Sequence, residues 1–198
     1  MRGDSKDNPS LEPKSSKFNL KLEWKAVLKK KYLILLVVSI LVIGIDQITK
    51  TLITGKFRLG ESVSVIRDFF DLTYVRNPGA AFGMLAQANP AFRIPFFICI
   101  PFIALLSIAL IFRKISENDT KFAAALSLVV AGAIGNLVDR LNFGYVIDFL
   151  DFHWKHGYHF PVFNVADSSI CIGVGLIMLD LVCSSKEKGS RLNVSRAH

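Results

Sequence analysis

The sequence predicts an all-α membrane protein of four transmembrane helices, with a small sheet in its first outer loop. Three observations carry that reading. Hydrophobic residues make up 52% of the 198-residue chain and charged ones only 20%, a balance beyond that of soluble domains. The mean hydropathy is +0.42, and 16 phenylalanines dominate the aromatics, as suits side chains solvated by lipid. The charges flank long apolar runs instead of lining a helix face. These features exclude a disordered chain, a collagen-like fibre and a disulfide-stapled secreted module. The net charge of +8 does not indicate a nucleic-acid partner, because it gathers at the ends of the apolar runs.

The apolar stretches cover residues 32–53, 94–112, 122–138 and 162–182. Each approaches the ~20 residues that cross a ~30 Å hydrocarbon core. Backbone groups in lipid must pair within the segment, so runs this apolar read as helices; the alternation of a barrel strand is absent. Arg113, Lys114 and Lys121 crowd one short connection, and short basic connections stay in the cytoplasm. Both termini and 113–121 are therefore expected inside, with 54–93 and 140–161 outside. Residues 1–31 read as a flexible basic cytoplasmic extension whose Lys29-Lys30-Lys31 lies near anionic lipid headgroups. The membrane domain then spans 32–183, and 184–198 form a cytoplasmic tail. In the 54–93 loop, Val63 and Val65 alternate, and the β-prone stretch 69–75 ends at Asn77-Pro78-Gly79, a turn signal. That pattern predicts the sheet.

Polar residues inside spans are costly and mark function by default. Asp46 lies about 21 Å along the first helix, at 1.5 Å per residue, with Lys50 one turn on and able to pair with it. Asn136 lies about 22 Å along the third helix, with Asp139 and Arg140 sharing its face. Asn164 and Asp167 open the fourth. Helices of alternating direction thus carry their polar groups at one depth, the outer third of the bilayer, and Asp148 and Asp151 sit just above. Two close carboxylates can share one proton, one acting as base towards water while the other protonates a carbonyl. Such a pair needs neither metal nor cofactor. Asp167 is its firmest member; spacing leaves the partner open among Asp139, Asp148 and Asp151.

Five blocks in order resemble bacterial lipoprotein signal peptidase, or signal peptidase II, across residues 32–183. They are Asp46-Gln47-Ile48-Thr49-Lys50, Asn77-Pro78-Gly79-Ala80-Ala81-Phe82, Gly135-Asn136-Leu137-Val138-Asp139-Arg140, Val146-Ile147-Asp148-Phe149 and Phe160-Pro161-Val162-Phe163-Asn164-Val165-Ala166-Asp167. The resemblance implies a membrane aspartic endopeptidase with Asp148 and Asp167 as its catalytic dyad. Asp46, Lys50, Asn77, Gly79, Asn136, Arg140 and Asn164 would line the site and orient the dyad or the peptide. It also implies an extracytoplasmic β-cradle, no metal or cofactor, and a monomer in the bacterial inner membrane with its site at the outer face. The substrates implied are lipid-modified prolipoproteins, cut just before the diacylglyceryl-bearing cysteine, and the other partners are membrane lipids.

Plainer roles compete for several residues. Asp46 and Lys50 could form an ion pair that only fixes packing. Asp139 beside Arg140 reads as a neutralised pair, Asp151 as a solvated loop charge and Asp180 as interfacial. His153, His156 and His159 have poor spacing for zinc and, with Trp154, Tyr158 and Phe160, read as an interfacial belt. Cys99, Cys171 and Cys183 are expected to pack, and Ala131, Gly132, Gly173 and Gly175 to let helices approach closely. A small transporter binding a cation through the same carboxylates, or a non-catalytic assembly factor, are the rival functions.

Overall fold

The computed structural model describes residues 29–79, 84–154 and 157–196; of residues 158, 159 and 184–196 it describes the backbone. The basic extension, up to position 28, lies outside the described residues. Among the described residues four helices form: α1 (Lys30–Lys56), α2 (Pro90–Lys114), α3 (Thr120–Phe143) and α4 (Val165–Arg196). Each is long and apolar enough to cross a membrane, the span in α4 being Val165–Cys183. Helix α4 continues beyond that span to Arg196, through the stretch expected as a tail.

Local chemistry fixes the helix ends. Asn89 accepts from Ala91 N at 2.9 Å and precedes Pro90, which fits the first helical position of α2. Asp119 caps α3 by accepting from Phe122 N at 3.2 Å. Gly144, at φ +76°, ends α3 in the left-handed conformation that favours glycine. At the other end of the bundle, buried Lys31 donates to the carbonyls of Phe112, Arg113 and Ile115 at 3.2, 3.2 and 2.7 Å. A cation there complements the C-terminal carbonyls of α2 and ties α1 to it.

Helix α3 is the centre of the bundle: 56% of its apolar span is buried, against 6% for α1 and α2. Its small residues allow this. A Cβ on Gly132 would run into the backbone oxygen of Ala166 in α4, and one on Gly173 would sit 2.6 Å from Ala125 O in α3. Gly175 has nothing within 4 Å, so the close approach expected there does not occur. Ile40 and Ile103 are more than 60% exposed, apolar faces that suit lipid and not water. The three cysteines are also exposed on α2 and α4 and not packed inside as expected, and Cys171 borders a cavity described below.

Strands β1 (Ser62–Ile66), β2 (Phe70–Asn77), β3 (Val146–Trp154) and β4 (Tyr158–His159) form an antiparallel sheet in that order. The first loop supplies β1 and β2 as expected, and the second loop extends the sheet with two further strands. A register shift between Leu72 and Val75 bends β2 beside β3. Ile53, Tyr74, Ile147 and Phe149 form a buried cluster that seats the sheet on the end of α1.

Candidate active site

The site starts at the N-terminus of α4. Asn164 precedes the helix and accepts from Asp167 N at 2.9 Å, while Asp167 Oδ2 accepts from Asn164 N at 3.3 Å. This reciprocal arrangement is a capping box with Asp in the third helical position. Asp46 Oδ1 accepts from Ala166 N at 2.9 Å, so a side chain of α1 satisfies another exposed amide of the same helix end.

Strand β3 brings the second carboxylate. Phe163 is bridged to Leu150, with Leu150 N to Phe163 O at 2.8 Å and Phe163 N to Leu150 O at 3.1 Å. That tether draws β3 against the segment entering α4. Asp148, 1% exposed, accepts from Asn164 Nδ2 at 2.7 Å and from Asn77 Nδ2 at 3.0 Å. Asp167 accepts from Asn136 Nδ2 at 2.7 Å. Asn136 Oδ1 accepts in turn from Asn164 Nδ2 at 3.2 Å. Two carboxylates are therefore joined through two asparagine amides contributed by α3 and the α4 cap.

Behind them lies a fully buried ionic cluster. Lys50 Nζ is 2.9 Å from Asp46 Oδ2 and 2.8 Å from Asp139 Oδ2, and it donates to Asn136 Oδ1 at 3.2 Å. The one-turn spacing of Asp46 and Lys50 forms the expected pair. Asp139 pairs with Lys50 and not with Arg140, because successive residues on a helix diverge by about 100°. Arg140 instead reaches Gly79 O at 3.1 Å and lies 5.3 Å from the Phe97 ring centroid. Gly79 is boxed in: its N–H donates to Asn77 Oδ1 at 3.0 Å, and a Cβ there would meet Met84 O and Ala86 N.

Two cavities meet here. One, of about 510 Å³, is walled by Asn136, Arg140, Phe160, Ile170 and Asp167. The other, of about 250 Å³, is walled by Val75, Ala86 and Asp148. Asn77, Pro161 and Val162 border both, so each carboxylate faces one side of a common wall. Burial pushes the Asp148 carboxyl up to about 7, with the neighbouring Asp167 charge acting the same way; Asn77, Asn164 and Lys50 pull it down. A carboxylate pair in this setting can hold one proton near neutral pH.

All the residues expected at the site converge, in contact or one hydrogen bond apart. Three others differ from expectation. Asp151 is buried at 7% exposure and accepts from Thr73 at 2.9 Å, because β2 covers it; it is not a solvated loop charge. His153 is buried 3.2 Å from Asp71, while the side chains of His156 and His159 lie outside the described ones, as do residues 80–82 of the second block. Gln47, given no role by sequence reasoning, donates to Asp139 at 3.1 Å and Asp46 at 3.2 Å; its place directly after Asp46 was the available signal.

A sequence-family model described as signal peptidase (SPase) II matches residues 38–183. A lipoprotein signal peptidase of Syntrophotalea carbinolica is 50% identical over 149 residues, covering 75% of this chain and 91% of the relative. One from Geobacter sulfurreducens is 49% identical over 144 residues, covering 73% and 88%. A solved structure described as a bacterial membrane enzyme, determined by the in meso method at 2.3 Å, superposes with a TM-score of 0.71. Its sequence identity is 38%, and the match covers 78% of this chain and 90% of that one. With so much of the membrane domain matched, the chain belongs to the signal peptidase II family and is an aspartic endopeptidase of the bacterial inner membrane.

Proposed function

We propose that this peptidase removes signal peptides from diacylglyceryl-modified prolipoproteins, cutting just before the lipidated cysteine, with Asp148 and Asp167 as the reacting pair. The observation that carries the reading is the union of the two carboxylates through Asn164 and Asn136 at the wall between two cavities. One ionised carboxylate takes a proton from water, and the resulting hydroxide adds to the scissile carbonyl as the protonated partner donates to its oxygen. As the tetrahedral adduct collapses and its C–N bond breaks, the carboxylate that took the proton of water passes it to the departing amine nitrogen. The hydroxyl made from the carbonyl oxygen returns its proton to the other carboxylate. Asn77, Asn136 and Asn164 aim the carboxylates; Asp46 and Lys50 brace them from behind; Arg140 and Gly79 shape the wall the peptide meets.

The basic connection holding Arg113, Lys114 and Lys121 supports an orientation with both termini, including 1–31 and 184–198, in the cytoplasm, and the site at the outer face. Acyl chains and signal helix then hold the substrate in the membrane plane beside the site. Both carboxylates come from one chain, which supports a monomer as the working unit. The test is incubation in detergent with a precursor carrying or lacking diacylglycerol, followed by N-terminal analysis of the released products. Cleavage before cysteine only in the lipidated precursor is expected; equal cleavage of both, or a cut elsewhere, contradicts the reading.

A further inference from the structure

We propose that Asp139 is a positioning residue for this reaction: it holds the backbone next to Asp148 and offsets the pull of Lys50 on the reacting pair. The proposal rests on the reading of Asp148 and Asp167 as that pair. Asp139 is fully buried. Its Oδ2 accepts from Ile147 N at 3.1 Å and faces Lys50 Nζ at 2.8 Å, while Oδ1 accepts from Gln47 at 3.1 Å. The carbonyl of Ile147 accepts from Asn164 Nδ2 at 3.2 Å. Both polar backbone groups of the residue preceding Asp148 are thus held, the amide by α3 and the carbonyl by the α4 cap. Any drift of Asp139 carries into the aim of Asp148.

Charge gives Asp139 its second role. Asp46 alone would neutralise Lys50, so a second fully buried carboxylate on the same ammonium is in excess of pairing. A surplus buried charge is costly unless something uses it. The charged groups facing one another here are Asp46 and Lys50 on α1, Asp139 and Arg140 on α3, Asp148 on β3 and Asp167 on α4. With Asp139 ionised, the field of Lys50 and Arg140 on the pair is offset, and the pair keeps one proton in the neutral range. With that charge removed, both cations favour the doubly ionised pair, and the one-proton state moves to more acidic pH.

The test is the pH profile of kcat for Asp139→Asn in detergent with a lipidated precursor, beside Asp139→Ala, Asp139→Glu and Asp148→Asn. The Asn variant keeps its KM, loses roughly tenfold in kcat, and shifts both limbs of the profile down by about half a pH unit or more. The Ala variant, which also releases Ile147, loses about 100-fold in kcat. Limbs that stay at wild-type pH in the Asn variant overturn the proposal, because a residue that only stabilises the fold changes amount and not pH dependence. If the Asn variant does not fold, the glutamate variant decides: it keeps the charge and displaces the carboxylate, so unmoved limbs with lowered kcat are expected. Wild-type kcat, or displaced limbs, in the glutamate variant overturn the proposal. Activity in Asp148→Asn would instead defeat the reading of the pair, whatever the Asp139 variants do.

Discussion

Lys50 Nζ lies 3.2 Å from Asn136 Oδ1. An ammonium can only donate, so this contact fixes which end of the amide faces which partner. Nδ2 must then point at Asp167, where it donates at 2.7 Å. A buried ion cluster on α1 and α3 thereby sets the hydrogen-bond polarity of a carboxylate on α4.

Replacing Lys50 by Met should therefore be severe. It leaves Asp46 and Asp139 buried together with no cation between them, a loss of about 3–5 kcal/mol for a broken buried pair. Thermal unfolding in detergent should show a sharply lowered midpoint, and a midpoint equal to wild type would mean that the cluster carries no such strain.

Asn164 touches both carboxylates and caps α4, so Asn164→Ala should lower kcat by about 100-fold through misaimed groups. Loss of the cap adds about 1 kcal/mol of destabilisation. Steady-state kinetics beside calorimetry separates the two; a stability loss with kcat unchanged would deny Asn164 a part in aiming the pair.

The raised value of Asp148 has a sign for stability. Its folded-state value of about 7 lies above the ordinary 3.8, so its protonation favours the folded protein. The contribution is full below the ordinary value and is lost as pH rises through about 7. Asp148→Asn, which is always neutral, should raise the unfolding midpoint relative to wild type at pH 8 and match it more closely at pH 5. Equal midpoint differences at both pH values would show that this carboxyl is not strained by burial.

Two glycines of one helix should behave oppositely. Gly173→Ala drives a methyl to within 2.6 Å of Ala125 O and should cost about 1–3 kcal/mol by forcing α3 and α4 apart. Gly175→Ala meets open space and should be neutral or slightly stabilising. Unfolding midpoints of the pair check the α3–α4 seam.

The spans were legible because lipid imposes run length directly on sequence, and Asp46, Asn136 and Asp167 stood out as polar residues in apolar runs. Spacing did not select Asp148. It sits in a strand whose burial depends on pairing with Val75 and on the Leu150–Phe163 bridge, contacts between distant segments that no local pattern encodes. Asp151 misled for the same reason. Read alone it is a loop charge, and only the β2–β3 register puts Thr73 within reach. Asp139 stands beside Arg140 in the sequence, yet its partner is Lys50 on another helix. Gly175 shows the converse: a small residue in a span implies close packing only if its face meets another helix.

The most direct measurement is the rate at which Asp148→Asn and Asp167→Asn release the leader from a diacylglyceryl-modified precursor, in folded protein of matched amount. Loss of at least about 10³-fold in each, with wild-type unfolding midpoints or better, is the expected result. Near-normal cleavage by either variant would mean that the two carboxylates gathered by Asn136 and Asn164 do not perform the hydrolysis.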